Sequence, residues 1–96
     1  MEQIHLLIWG RVQHVGFRRF VVRSAEKLNV SGWVRNRRDG AVEIFAVGVS
    51  DVLATFIAHC RKGPLFACVT DIQFLPVDSE CNQNTHHNSF NVLETI

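Results

Sequence analysis

Apolar residues alternate with polar ones at two different periods along this chain, and the period changes mark its elements. Residues 4–9, Ile-His-Leu-Leu-Ile-Trp, are apolar on both sides of a two-residue repeat and stop at Gly10. Such a run fits a strand covered on both faces. From Phe17 the repeat lengthens. Phe17, Phe20, Val21, Ser24, Ala25 and Leu28 form one stripe, with Arg19, Arg23, Glu26 and Lys27 between them. That spacing predicts an amphipathic helix, closed by Asn29 or by Ser31-Gly32. Gly32 to Asn36 predicts a short strand, and Ala41 to Val47 another. Asp39-Gly40 between them is a hairpin signal. Ser50 is placed to cap a second helix, with Asp51 in its first turn and Leu53, Phe56, Ile57 and Cys60 on its buried side; Gly63-Pro64 ends it. Cys68 to Val77 alternates imperfectly, which predicts a strand with a bulge. Asp78 to Asn88 is polar and reads as a loop, and Phe90 to Leu93 is a short last strand.

The order β-α-β-β-α-β predicts an α+β fold of the ferredoxin-like kind: two helices on one face of an antiparallel sheet, with room for a short extra C-terminal strand. The first two strands, joined through a helix, run parallel by a right-handed crossover. The third can slot antiparallel between them. The chain after strand one and the end of strand two then share one rim of the sheet, with backbones about 10 Å apart, two inter-strand spacings.

Residues 1–96 make a single domain with one core. A hydrophobic share of 47 % is ordinary for a soluble globular protein, and no apolar run approaches the roughly 20 residues of a membrane span. The first residues lack a basic leader segment, so the expected location is the cytoplasm. Cys60, Cys68 and Cys81 have no metal-site or disulfide spacing and read as reduced thiols.

Net charge is only +1, yet it is unevenly spread. Residues 11–38 hold eight of the ten Lys and Arg and a single acid, Glu26. A concentration of that kind suggests a local anion site. Its centre is Gly10 to Arg18, Gly-Arg-Val-Gln-His-Val-Gly-Phe-Arg, which leaves a strand and enters a helix. Backbone N–H groups at such a turn can curl around an anion, and the helix N-terminus adds partial positive charge. Arg18 brings a planar fork of donors suited to phosphate.

These residues carry a resemblance. Gly10 to Arg18 is similar to the acylphosphatase signature G-x-V-Q-G-V-x-F-R. Gly32 to Glu43, Gly-Trp-Val-Arg-Asn-Arg-Arg-Asp-Gly-Ala-Val-Glu, resembles that family's G-W-V-x-N-x-x-D-G-x-V-E. Lys62 to Val69 resembles its segment before strand four. The likeness runs from about Ile4 to Leu93. It implies hydrolysis of the carboxyl–phosphate bond of acyl phosphates without metal or cofactor. Arg18 matches the phosphate-binding arginine and Asn36 the asparagine that orients the attacking water. The amides of His14, Val15, Gly16, Phe17 and Arg18 match the phosphate-binding loop. The implied partner is a small-molecule substrate, with neither nucleic acid nor membrane involved, and a monomer is the favoured state.

His14 stands where the family has glycine. A left-handed backbone there would carry a steric cost for histidine, while a protonated imidazole would attract a phosphate dianion. The alternative reading is a non-catalytic phosphate- or carbamoyl-phosphate-binding module of the same fold, impaired by His14. An RNA-binding domain would need an aromatic-rich third strand, which Ala41 to Val47 is not. Arg35, Arg37 and Arg38 are expected to form a solvated electropositive rim. Cys81, His86 and His87 match no common metal site. His59 reads as a surface histidine, and Trp9 and Trp33 as packing residues. Acetyl phosphate, carbamoyl phosphate and 1,3-bisphosphoglycerate all present the same reacting group, so the sequence does not select among them.

Overall fold

A computed structural model of the chain describes residues 1–77 and 89–96. The elements are β1 (Glu2–Arg11), α1 (Phe17–Leu28), β2 (Ser31–Asn36), β3 (Val42–Gly48), α2 (Ser50–Lys62), β4 (Cys68–Leu75) and β5 (Phe90–Val92). They form one five-stranded sheet in the order β4-β1-β3-β2-β5. β3 is antiparallel to both β1 and β2, so those two strands are parallel to each other with β3 between them. β5 adds to the outer edge of β2 in parallel, which makes the sheet mixed rather than wholly antiparallel.

Strand alternation divides the core. Leu6, Ile8, Val34, Val42, Ile44 and Ala46 face the helices and pack against Phe17, Val21 and Ala25 of α1 and Leu53, Phe56 and Cys60 of α2. The helical stripe predicted from Phe17 onward is therefore the buried one. Asn29 closes α1 in a left-handed conformation (φ 56°). Burial in this apolar layer pushes the Cys60 thiol up to about 12, so it stays protonated and unreactive. No helix among the described residues is long and apolar enough to cross a membrane.

Two expectations change in detail. Ser50 is the first helical residue of α2 and makes no capping bond; the cap position is Val49, in extended conformation. A serine hydroxyl caps a helix only from a non-helical backbone one position earlier. The irregularity foreseen in the fourth strand is a register shift. Trp9 pairs with Asp71 but Gly10 with Val69, leaving Thr70 as the extra residue. Gly10 (φ 123°) is required opposite it, because a Cβ there would lie 2.1 Å from the carbonyl oxygen of Cys68.

The sheet's other face carries a buried charge cluster. Trp33 and Phe45 stack with ring centroids 6.1 Å apart, and the Arg35 guanidinium lies 4.6 Å above the Trp33 ring. Beside them Glu43 is 3 % exposed. It accepts hydrogen bonds from Arg35 Nε at 2.8 Å and His5 Nε2 at 2.6 Å, and Arg37 stands 3.6 Å away. Arg37 also pairs with Asp39 in the hairpin. Arg35 and Arg37 are thus committed to carboxylates rather than forming a solvated rim; only Arg38 of that trio is fully exposed. Trp33 is buried and Trp9 half-buried, as packing residues should be.

Burial alone would raise the Glu43 carboxyl, but the hydrogen bonds and charges of Arg35 and His5 outweigh it and hold the group below its ordinary 4.5. A carboxyl lowered in the folded state stabilises the fold above its unfolded value. That contribution is lost as pH falls through the lowered folded value. Stability should therefore decline below about pH 4.5. Glu43→Gln should lack this component of the decline and should be less stable at neutral pH by about 1–3 kcal/mol. Urea unfolding of both proteins between roughly pH 3 and 7 checks this.

Candidate active site

Between β1 and α1 the chain turns through two left-handed residues, His14 (φ 63°) and Gly16 (φ 79°). Gly16 is the cap residue of α1, and its carbonyl accepts the first helical bond, from Phe20 N–H at 3.1 Å. The N–H groups of Phe17, Arg18 and Arg19 precede that bond and have no intrahelical acceptor. Those of His14, Val15 and Gly16 find no backbone acceptor among the described residues. A turn bearing a run of free N–H donors at the positive end of a helix is an anion cradle.

Gln13 holds the turn in place. Its Nε2 donates to the carbonyls of Arg37 at 2.7 Å and Ala41 at 3.0 Å, which ties the loop to the β2–β3 hairpin. The sequence reading assigned Gln13 no role, although it sits inside the longer motif. The hairpin in turn carries Asn36, the last residue of β2. Its side chain points to the helix face, in step with Val34, and is 6 % exposed. Its Oδ1 is buried and has no hydrogen-bond partner among the described residues. An acceptor left so costs about 1–3 kcal/mol, a cost tolerated where a ligand or solvent molecule is to be held.

Arg18, Asn36, His14, Gly16 and Phe17 all border one open cleft of about 590 Å³. Arg18 is half-buried and has no carboxylate partner among the described residues. Val15, also expected in the loop, does not line the cleft, and its side chain packs on the core. Phe17 is 2 % exposed and anchors the helix start beneath the cleft. The structure also brings in Val12, Val22 and Val92 as apolar walls and Arg19 and Arg23 from the outer side of α1. A clue to the arginines lay in the helical spacing, which puts positions 19 and 23 on one side.

Other candidates fall away from this cleft. His59 is half-buried in a separate groove between the helices. Cys60 and Cys68 are free thiols. No three His, Cys, Asp or Glu side chains are grouped to hold a metal among the described residues. Cys81, His86, His87 and the loop expected over residues 78–88 lie outside the described residues.

Comparison with known proteins points to one family. The acylphosphatase family model matches residues 4–92. An acylphosphatase of Nitrobacter winogradskyi is 51 % identical over 72 residues, 75 % of this chain and 73 % of that protein. The acylphosphatase of Bacillus subtilis is 40 % identical over 93 residues, covering 97 % and 98 % of the two chains. The crystal structure of acylphosphatase from Bacillus subtilis superposes with a TM-score of 0.83 at 38 % identity, covering 97 % of this chain and 99 % of the other.

His14 has the left-handed backbone that its motif position suggested. A Cβ in that conformation costs about 1–2 kcal/mol, partly offset by the greater freedom of glycine in the unfolded chain. His14→Gly should therefore raise stability by about 0.5–1 kcal/mol, seen as a higher urea midpoint at unchanged slope. A lower midpoint would show that the imidazole holds the loop.

Proposed function

Because this chain belongs to the acylphosphatase family, we propose that its cleft hydrolyses acyl phosphates to a carboxylate and inorganic phosphate, with Arg18 and the loop amides holding the phosphate and Asn36 orienting water. The observation that carries the reading is the convergence on one cleft of loop N–H groups without a backbone acceptor, an arginine without a carboxylate partner, and a buried carboxamide whose Oδ1 has no hydrogen-bond partner, all among the described residues.

The chemistry asks little of the protein beyond this set. The bond that breaks joins phosphorus to the bridging oxygen, and the carboxylate that departs needs little protonation. Phosphoryl transfer depends mainly on positioning and on stabilising the three equatorial oxygens. The amides of His14 to Arg18 and the fork of Arg18 address those oxygens; donors fixed before the reaction need no reorganisation during it. Opposite the leaving group, the Asn36 carboxamide accepts a hydrogen bond from the attacking water and turns its lone pair to phosphorus. As the new P–O bond forms, the water proton passes to a non-bridging phosphate oxygen, so no side-chain base is required. Gln13 is a positioning residue, because it keeps the loop and the strand bearing Asn36 at a constant separation. A small-molecule substrate and a cytoplasmic monomer belong to the same reading.

Benzoyl phosphate hydrolysis by the purified protein tests it. Phosphate binding without turnover would instead indicate the non-catalytic module. Arg18→Ala should keep the fold and lose about 10²–10³-fold or more in kcat/KM, since one preorganised donor is typically worth that much and a charge is lost with it. Retained turnover would remove Arg18 from the site. Asn36→Ala should lower kcat with little change in inhibition by inorganic phosphate, because it acts on water and not on the bound anion. A large loss of phosphate affinity would make Asn36 a ligand contact.

A further inference from the structure

The cleft carries more positive charge than one phosphate needs. Arg18, Arg19 and Arg23 line it, with no acidic residue among the described lining residues. Arg19 and Arg23 are exposed, one turn apart on α1, and neither has a carboxylate partner among the described residues. Helix energetics do not explain them. Arg19 lies in the first turn, where no acid is present and where the helix dipole disfavours a cation. Arg23 lies too far from the last turn for the dipole to favour it. Lys27 does sit in that last turn and has such an explanation.

Arg23 also borders a second groove, of about 420 Å³, between the two helices, with Lys27, His59 and Lys62 and no acid among its described lining residues. Glu26 faces elsewhere, into a groove with Asn29 and Ser89. Among the described residues, a positive strip with no acidic lining thus runs along α1 from the cradle. Arg23 is five residues beyond Arg18, about 7.5 Å along the helix axis. Val22 and Val92 supply apolar wall in the same cleft. A bare acetyl group would end short of Arg23. A benzoyl or succinyl group with an anion at its far end would bridge the distance.

We propose that Arg23, with Arg19 beside it, selects acyl phosphates whose acyl part carries a second anionic group, a carboxylate or a phosphate. This rests on the hydrolytic reading above and names the substrate class for the same cleft. The reacting phosphate occupies the cradle at Arg18, the carbon skeleton lies along Val22 and Val92, and the distal anion meets the two guanidinium groups. Both arginines are solvent-exposed, so the preference weakens as salt rises.

The test compares kcat/KM for benzoyl phosphate, 4-carboxybenzoyl phosphate and 4-phosphonobenzoyl phosphate in the native protein, Arg19→Gln, Arg23→Gln and Arg61→Gln. Arg61 is an exposed cation on α2 that borders neither groove. The readout is the ratio of charged to neutral substrate within each protein, so a general loss of activity or of folded protein cancels. The ratio should fall about three- to tenfold in Arg23→Gln, less in Arg19→Gln, and should keep its native value in Arg61→Gln. It should also collapse toward the variant's value at high ionic strength. A stronger effect for the carboxylate or for the phosphonate identifies which group is received. An unchanged ratio in Arg23→Gln, or an equal fall in Arg61→Gln, overturns the proposal while leaving acyl phosphate hydrolysis intact. Failure of the native protein to hydrolyse any of the three substrates would overturn the preceding reading and this one with it.

Discussion

β3 is paired along both of its edges: Ile44 lies between Leu6 and Val34, and Phe45 between His5 and Trp33. Everything at the cleft follows from that double pairing. It forces β1 and β2 to run parallel, one strand apart, so that the turn after β1 and the end of β2 reach the same rim. Without β3 between them the loop donors and Asn36 would have no shared geometry. The pairing is secured by side chains on both faces, Ile44 and Ala46 under the helices and Phe45 against Trp33 on the other side. Gln13 then spans the remaining gap with two hydrogen bonds to the hairpin that β3 shares with β2.

The sheet also sorts the basic residues by function. Arg35 and Arg37 lie near Glu43 and Asp39, where their charge is consumed by carboxylates. Arg18, Arg19 and Arg23 border the cleft, where no carboxylate among the described lining residues neutralises them. The division is a consequence of strand alternation and helix phase. Arg35 neighbours Asn36 in sequence, yet the two side chains leave opposite faces of β2. One arginine therefore supports the fold, while its neighbour's side chain enters the cleft.

Two local costs lie at the cleft. His14 has positive φ, and the buried Oδ1 of Asn36 lacks a partner among the described residues. Both are local costs that the rest of the fold carries, while Gly16 takes its positive φ without a Cβ penalty. The turn they produce leaves its N–H groups available instead of spending them on internal bonds. The apolar anchors Val12 and Phe17, 1 % and 2 % exposed, hold both ends of this turn against the core and keep the costly conformation in place.

Much of this was legible in the sequence because it depends on near neighbours. The change from a two-residue to a 3.6-residue period at Phe17 marked α1, and Asp39-Gly40 marked the hairpin. The two motifs, Gly10 to Arg18 and Gly32 to Glu43, brought Arg18, Asn36 and the loop to attention, and the structure gathers them at one cleft. Periodicity and turn chemistry are set within a few residues by backbone sterics, so they can be read one segment at a time. What remained for the tertiary structure involves partners far apart in the chain. The parallel docking of β5 on β2, the capture of Arg35 and Arg37 by Glu43, and the orphaned Oδ1 of Asn36 belong to this class. So does the placing of Arg23 on the same cleft as Arg18. Local pattern shows that a residue is basic and on a helix; only packing decides which carboxylate, strand edge or cleft lies opposite, because that is settled by contacts between segments that the sequence keeps apart.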